Sequence, residues 1–209
     1  MKPILEFINF LESFRLQNPD TSENLYSLDS SEGLIRRHNL KTYLSKMLSI
    51  KPEIMLLGEA PGYKGCRLSG IPFTSERLLK TNAFFCNEPY EIINSKPESE
   101  QSATIVWGAL NQYEKMPLIW NIYPFHPHKE NDLKSNRTPS EKELDDGVRI
   151  LKELLTIFSI KQFIAIGRKA EIKLKENGYD CTYVRHPANG GKREFVEGLN
   201  RCLRIKIEI

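Results

Sequence analysis

The sequence predicts a three-layer α/β/α sandwich around a central, mostly parallel four-stranded sheet, and three observations lead there. Short apolar runs such as 53–57 and 162–166 are continuous rather than alternating, the pattern of strands covered on both faces. Stretches with helical spacing of apolar residues separate these runs. Glycine or proline then punctuates the strand ends, at Gly58, Pro124, Gly167 and Pro187. Strands alternating with helices bury both faces of a parallel sheet, and ligands in such folds bind beyond the carboxyl ends of the strands.

In chain order, Leu5, Ile8, Leu11 and Phe14 predict a helix over 4–16, and Asn18-Pro19-Asp20 a turn within a polar stretch, 17–31. Leu34, Ile35, Leu40, Tyr43, Leu44 and Leu48 mark one face of a second helix, 33–49. The first strand is expected at 53–57, and a helix after Phe73 would be capped by Thr74 or Ser75. Residues 87–102, with two prolines and several charges, read as a mobile insertion. A second strand is expected at 116–122. A helix over 140–157 follows, with Ser140 and Glu143 spaced as a capping box. Then come a strand at 162–166, a helix at 168–176, a strand at 181–184, a helix at about 192–202 and a short terminal strand or tail.

At 209 residues, 40% hydrophobic and 27% charged, one globular domain is expected, with N-terminal helices in 1–50 and the working core in 51–209. The net charge of +3 describes an ordinary solvated surface and does not by itself argue for nucleic acid. The N-terminus has no apolar signal region, and no run approaches the ~20 apolar residues of a membrane span. Four scattered cysteines, Cys66, Cys86, Cys181 and Cys202, form no CxxC pair, so free thiols and a cytoplasmic location are expected, without a metal or iron–sulfur site.

Three polar clusters fall at strand ends. In Gly58-Glu59-Ala60-Pro61-Gly62 one carboxylate rides on a backbone shaped by two glycines and a proline. Glu59 there suits a general base or a cation stabiliser; it equally suits an ordinary turn in which it caps a helix. Downstream, Phe73 beside Pro72 could stack on a planar base, or simply sit in the core. The segment has neither phosphate-loop nor dinucleotide-loop spacing. The second cluster runs from Trp120 to His128. Asn121 could donate and accept toward a nucleobase edge or serve local backbone. His126 and His128 are weak as metal ligands without a third partner and read better as solvated histidines of a proline-rich turn. The third, 185–193, offers His186 fixed by Pro187 for electrophilic work, or a surface histidine in a glycine-rich turn. Gly190 and Gly191 at a helix N-terminus, with Lys192 and Arg193, could meet a phosphate.

Taken together and in this order, the motifs resemble the uracil-DNA glycosylase superfamily, closest to its GEAPG-type bacterial and archaeal members. The resemblance covers about residues 52–195 and includes Asn136-Arg137-Thr138-Pro139 and Gly167-Arg168-Lys169-Ala170. It implies a monomeric, cofactor-free enzyme that flips a damaged base out of single- or double-stranded DNA and cuts its glycosidic bond. In that scheme Glu59 and His186 are catalytic. Gly58, Ala60, Phe73 and Asn121 hold the base, and Pro61, Gly62, Pro187, Asn189, Gly190, Gly191 and Lys192 hold the DNA. Three departures stand out: no acid in Tyr63-Lys64-Gly65-Cys66-Arg67, no iron–sulfur cysteines, and no leucine wedge after Pro187. Uracil, another lesion such as hypoxanthine, and catalytically silent DNA binding are the readings this leaves.

Overall fold

A computed structural model describes residues 2–203, so the terminal strand or tail expected beyond the last helix lies almost wholly outside the described residues. In chain order the elements are α1 (Lys2–Glu12), β1 (Ser22–Glu23), α2 (Ser31–Ile50), β2 (Ile54–Gly58), α3 (Cys66–Ser69), α4 (Glu76–Thr81) and α5 (Gln101–Leu110). There follow β3 (Leu118–Asn121), β4 (His126–Pro127), α6 (Glu141–Leu155), β5 (Gln162–Ile166), α7 (Arg168–Glu176), β6 (Cys181–Val184) and α8 (Lys192–Cys202).

The central sheet has the order β3-β2-β5-β6, every pairing parallel, with helices covering it. That is the expected sandwich. Met55, Leu56 and Leu57 of β2, Leu118, Ile119 and Trp120 of β3, and Ile164 and Ala165 of β5 are all fully buried. Strands covered on both faces need no polar alternation, which is why these runs are continuously apolar. The parallel register also brings the strand C-termini to one edge: Gly58 pairs with Asn121, and Ile166 with Val184. The three clusters therefore converge.

Helix starts follow local chemistry. Ser30 accepts from the Gly33 N–H at the start of α2, and Ser140 and Glu143 form a complete capping box at α6. At α7 the capping residue is Gly167 at φ 91°, a conformation that favours glycine. Elsewhere the expectation fails. Ser75 occupies the N-cap of α4, but its hydroxyl makes no capping bond, and Thr74 bonds Pro72 and Trp107 instead.

The largest departure is residues 87–102, expected as a mobile insertion. Glu76 of α4 is fully buried, and its carboxylate accepts the N–H groups of Ile93, Asn94 and Glu98. Tyr90 is buried against Phe85. The segment then enters α5, whose Ala103, Val106, Trp107 and Leu110 recur at helical spacing and are buried. That periodicity is present in the sequence, behind the prolines and charges that precede it. The polar stretch 17–31 likewise hides β1, which pairs antiparallel with β4, Glu23 opposite His126.

Candidate active site

At the C-terminal edge of the sheet lies a cavity of about 660 Å³. Its floor is the loop after β2. Extension of the sheet holds this loop in place: Ile122 N–H donates to the Gly58 carbonyl and Tyr123 N–H to that of Glu59. His126 is a second tie, its Nδ1 3.0 Å from the Pro61 carbonyl oxygen and its Nε2 3.2 Å from that of Leu133. The expectation of solvated histidines is therefore corrected. His126 and His128 are 0% and 5% exposed, stacked on each other and bonded to backbone carbonyls, because β4 pairs with β1 and covers them.

Gly58 explains the packing at the deep end. A Cβ there would collide with the Phe73 ring and stand 2.7 Å from Asn121 Oδ1. Phe73 itself has φ 49°, strained for a residue with a side chain, and its carbonyl accepts from Trp107 Nε1 at 3.1 Å. The Asn121 side chain is 2% exposed, and its Oδ1 has no hydrogen-bond partner among the described residues. A buried carbonyl oxygen left without a donor is uncommon and marks a position where a ligand can supply one.

His186 faces Phe73 with ring centroids 6.0 Å apart. The Ala188 N–H donates to its Nδ1 at 3.2 Å, so in the neutral ring the proton sits on Nε2. Burial, and then the Arg185 charge, push the imidazole pKa down, so the ring is neutral at pH 7. The site thus holds a neutral N–H donor. Glu59 caps no helix. Burial raises its carboxyl pKa, against the Lys169 charge and a hydrogen bond from Thr138. The 136–138 segment is locked from behind, since Arg137 bonds both oxygens of fully buried Glu143, and Asn136 Oδ1 accepts from the Tyr63 N–H.

Of the residues named from the sequence, Glu59, Ala60, Pro61, Gly62, Phe73, Asn121, His186 and Asn189 line the cavity, with Gly58 packed beneath. Pro187 is buried next to it, while Gly190 and Lys192 are exposed beyond its rim. Gly191 is buried against the His186 carbonyl, and its N–H is given to the Ala188 carbonyl, so that N–H cannot grip a phosphate. Two further groups line the cavity that motif reading did not assign to it. One is the basic wall of Arg168, Lys169 and Arg185. The other is Glu100, the residue before α5, whose carboxyl oxygens fill the space a Cβ on Gly62 or Gly65 would need. Arg168, Lys169 and Arg185 fall inside the sequence motifs but carried no role there, whereas Glu100 has no motif signal, because it enters from 41 positions beyond Glu59.

The family model described as the uracil DNA glycosylase superfamily matches residues 45–200. No curated protein matches the sequence. In three dimensions the chain is similar to the crystal structure of wild-type SMUG2 from Pedobacter heparinus, with a TM-score of 0.69, 18% sequence identity and 96% of each chain covered. At that identity the likeness is one of fold.

Proposed function

The chain belongs to the uracil DNA glycosylase superfamily and is by family a DNA N-glycosylase; from that premise we propose that it excises uracil, or a closely related deaminated base, and leaves an abasic site. The observation that carries this reading is the buried, unpartnered Asn121 Oδ1 above Gly58. An amide there can accept from the ring N–H of a flipped uracil and donate to its neighbouring oxo oxygen. Phe73, beside it, offers a face for stacking.

The departing base carries negative charge as the glycosidic bond breaks, and the sugar becomes an oxocarbenium-like cation. The neutral His186, with its proton on Nε2, suits the base oxygen where that charge collects. Glu59 suits the other end, stabilising the cation and orienting or deprotonating the attacking water. Burial raises its carboxyl pKa, the direction that makes a carboxylate a stronger base, while the Lys169 charge and the hydrogen bond with Thr138 act the other way, toward the ionised form. Asn189, Gly190 and Lys192 on the rim, with Pro61, Gly62 and Pro187 shaping the loops around them, are the DNA-facing group. The chemistry drawn this way asks for no cofactor.

The test is direct. Labelled single-stranded, U:A, G:U and hypoxanthine oligonucleotides are incubated with the protein, and abasic sites are cleaved with alkali. Strand breaks at uracil are expected. Breaks only at hypoxanthine would move the substrate to another lesion, and DNA binding without breaks on any substrate would replace catalysis by binding.

A further inference from the structure

Two carboxyl groups face the cavity, and they differ in what holds them. Glu59 leans toward Thr138 and Lys169, on the side of the basic wall. Glu100 comes from the start of α5, which is tied to the Phe73 segment: Trp107 of that helix donates to the Phe73 carbonyl and to Thr74. Its carboxyl lies over Gly62 and Gly65, where a side chain at either position would collide with it. Among the described residues it accepts no hydrogen bond and forms no ion pair. Glycines at 62 and 65 thus leave a space in the pocket wall, and an acid from another part of the chain fills it.

We propose that Glu100 is a base-reading residue, its carboxyl forming the pocket edge at the far end of the Gly58–Gly62 loop from Asn121 and donating, as the neutral acid, a hydrogen bond to an oxo oxygen of the flipped base. This rests on the glycosylase reading and adds to it a second polar contact that selects the base. The alternative task for a pocket carboxyl, deprotonating water, falls to Glu59, where Thr138 and Lys169 favour the ionised form against burial. Glu100 has neither a donor nor a cation beside it among the described residues. Burial already pushes the Glu100 carboxyl up to about 7. A base seated against it removes more water and shifts it further toward the neutral form. A neutral carboxyl is a donor, and an oxo oxygen satisfies it; a base without an acceptor at that edge leaves the donor buried and unpaired.

The charged and titratable neighbours do not supply a competing switch. Cys66 of α3 is fully buried, and burial pushes its thiol well above the ordinary value, so it stays neutral. Arg77 of α4 is occupied by Ser99 and Thr104. Across the cavity, Arg137 is bonded to Glu143, Glu59 has Thr138 and Lys169, and His186 is held neutral by burial.

The experiment measures affinity for an oligonucleotide carrying non-cleavable 2′-fluoro-2′-deoxyuridine at pH 6 and pH 8, alongside excision from the ordinary uracil substrate. Wild type is expected to bind roughly tenfold more weakly at pH 8, as one proton must be taken up. In Glu100→Gln, whose amide donates without titrating, binding stays tight and loses its pH dependence. Glu100→Leu binds weakly at both pH values. A pH dependence unchanged in Glu100→Gln, with uracil still excised, would overturn this assignment and leave the glycosylase reading standing. Failure to bind or excise uracil at all would overturn both.

Discussion

At the scale of single residues, the site depends on groups that the rest of the fold leaves unpaired. Among the described residues Asn121 Oδ1 is buried without a donor and the Glu100 carboxyl has no partner, and His186 offers an N–H into the cavity because Ala188 occupies its other nitrogen. Phe73 at φ 49° belongs with them, since its backbone strain is sustained by the Trp107 bond and by the absence of a Cβ at Gly58. The prediction at this scale concerns the leaving group. His186→Ala is expected to lower single-turnover base release by roughly 10²-fold or more, the usual effect of removing one preorganised donor to a developing anion. Circular dichroism and binding to an abasic-site oligonucleotide should change little. Full activity in that variant would take His186 out of the leaving-group role.

At the scale of elements, what matters is how loops are made rigid. The segment carrying Asn136 and Thr138 reaches Glu59 only because Arg137 is clamped by Glu143, which also accepts from Ser22 and from the Ser140 N–H of the α6 cap. Burial alone would raise the Glu143 pKa, but these donors hold it at about 2, below the ordinary 4.5. Its stabilising contribution is therefore complete above about 4.5 and is lost as pH falls toward 2. Arg137→Ala leaves a buried carboxylate without its cation, which costs on the order of 3–5 kcal/mol. Urea unfolding at pH 7 should show that loss. The variant should also lose stability less steeply than wild type between pH 5 and 2, in a range set by these same values. Equal acid slopes would mean the Arg137 clamp is not the source.

At the scale of the whole molecule, the parallel sheet collects the site and the α7 and β6 ends flank it with positive charge. Arg168, Lys169 and Arg185 line the cavity with side chains 69%, 47% and 44% exposed, and their acidic partners Glu171, Glu141 and Glu194 leave them reachable from solvent. A net charge of only +3 conceals this local concentration. Phosphate contacts release counterions, so affinity should fall steeply with salt. Arg168→Ala and Arg185→Ala are each expected to weaken binding to DNA of any sequence and to reduce the slope of log K against log salt by about one. An unchanged slope in both variants would put the DNA path elsewhere.

Much of this was legible in the sequence, and for a local reason. Continuous apolar runs identified β2, β3 and β5, the capping box identified α6, and glycine and proline at the strand ends located Glu59, Asn121 and His186, because each of these signals arises from neighbouring residues along the chain. The sequence by itself therefore determined the sandwich, the family and three walls of the cavity. The tertiary structure alone decided the rest. His126 and His128 are buried because β4 pairs with β1 about a hundred residues away, and 87–102 is ordered because the Glu76 carboxylate gathers its N–H groups. Glu100 enters the pocket because Gly62 and Gly65 lack side chains and α5 packs beside Phe73. Such contacts join residues distant in sequence, and burial, which sets both their cost and their chemistry, exists only once the chain has closed around them.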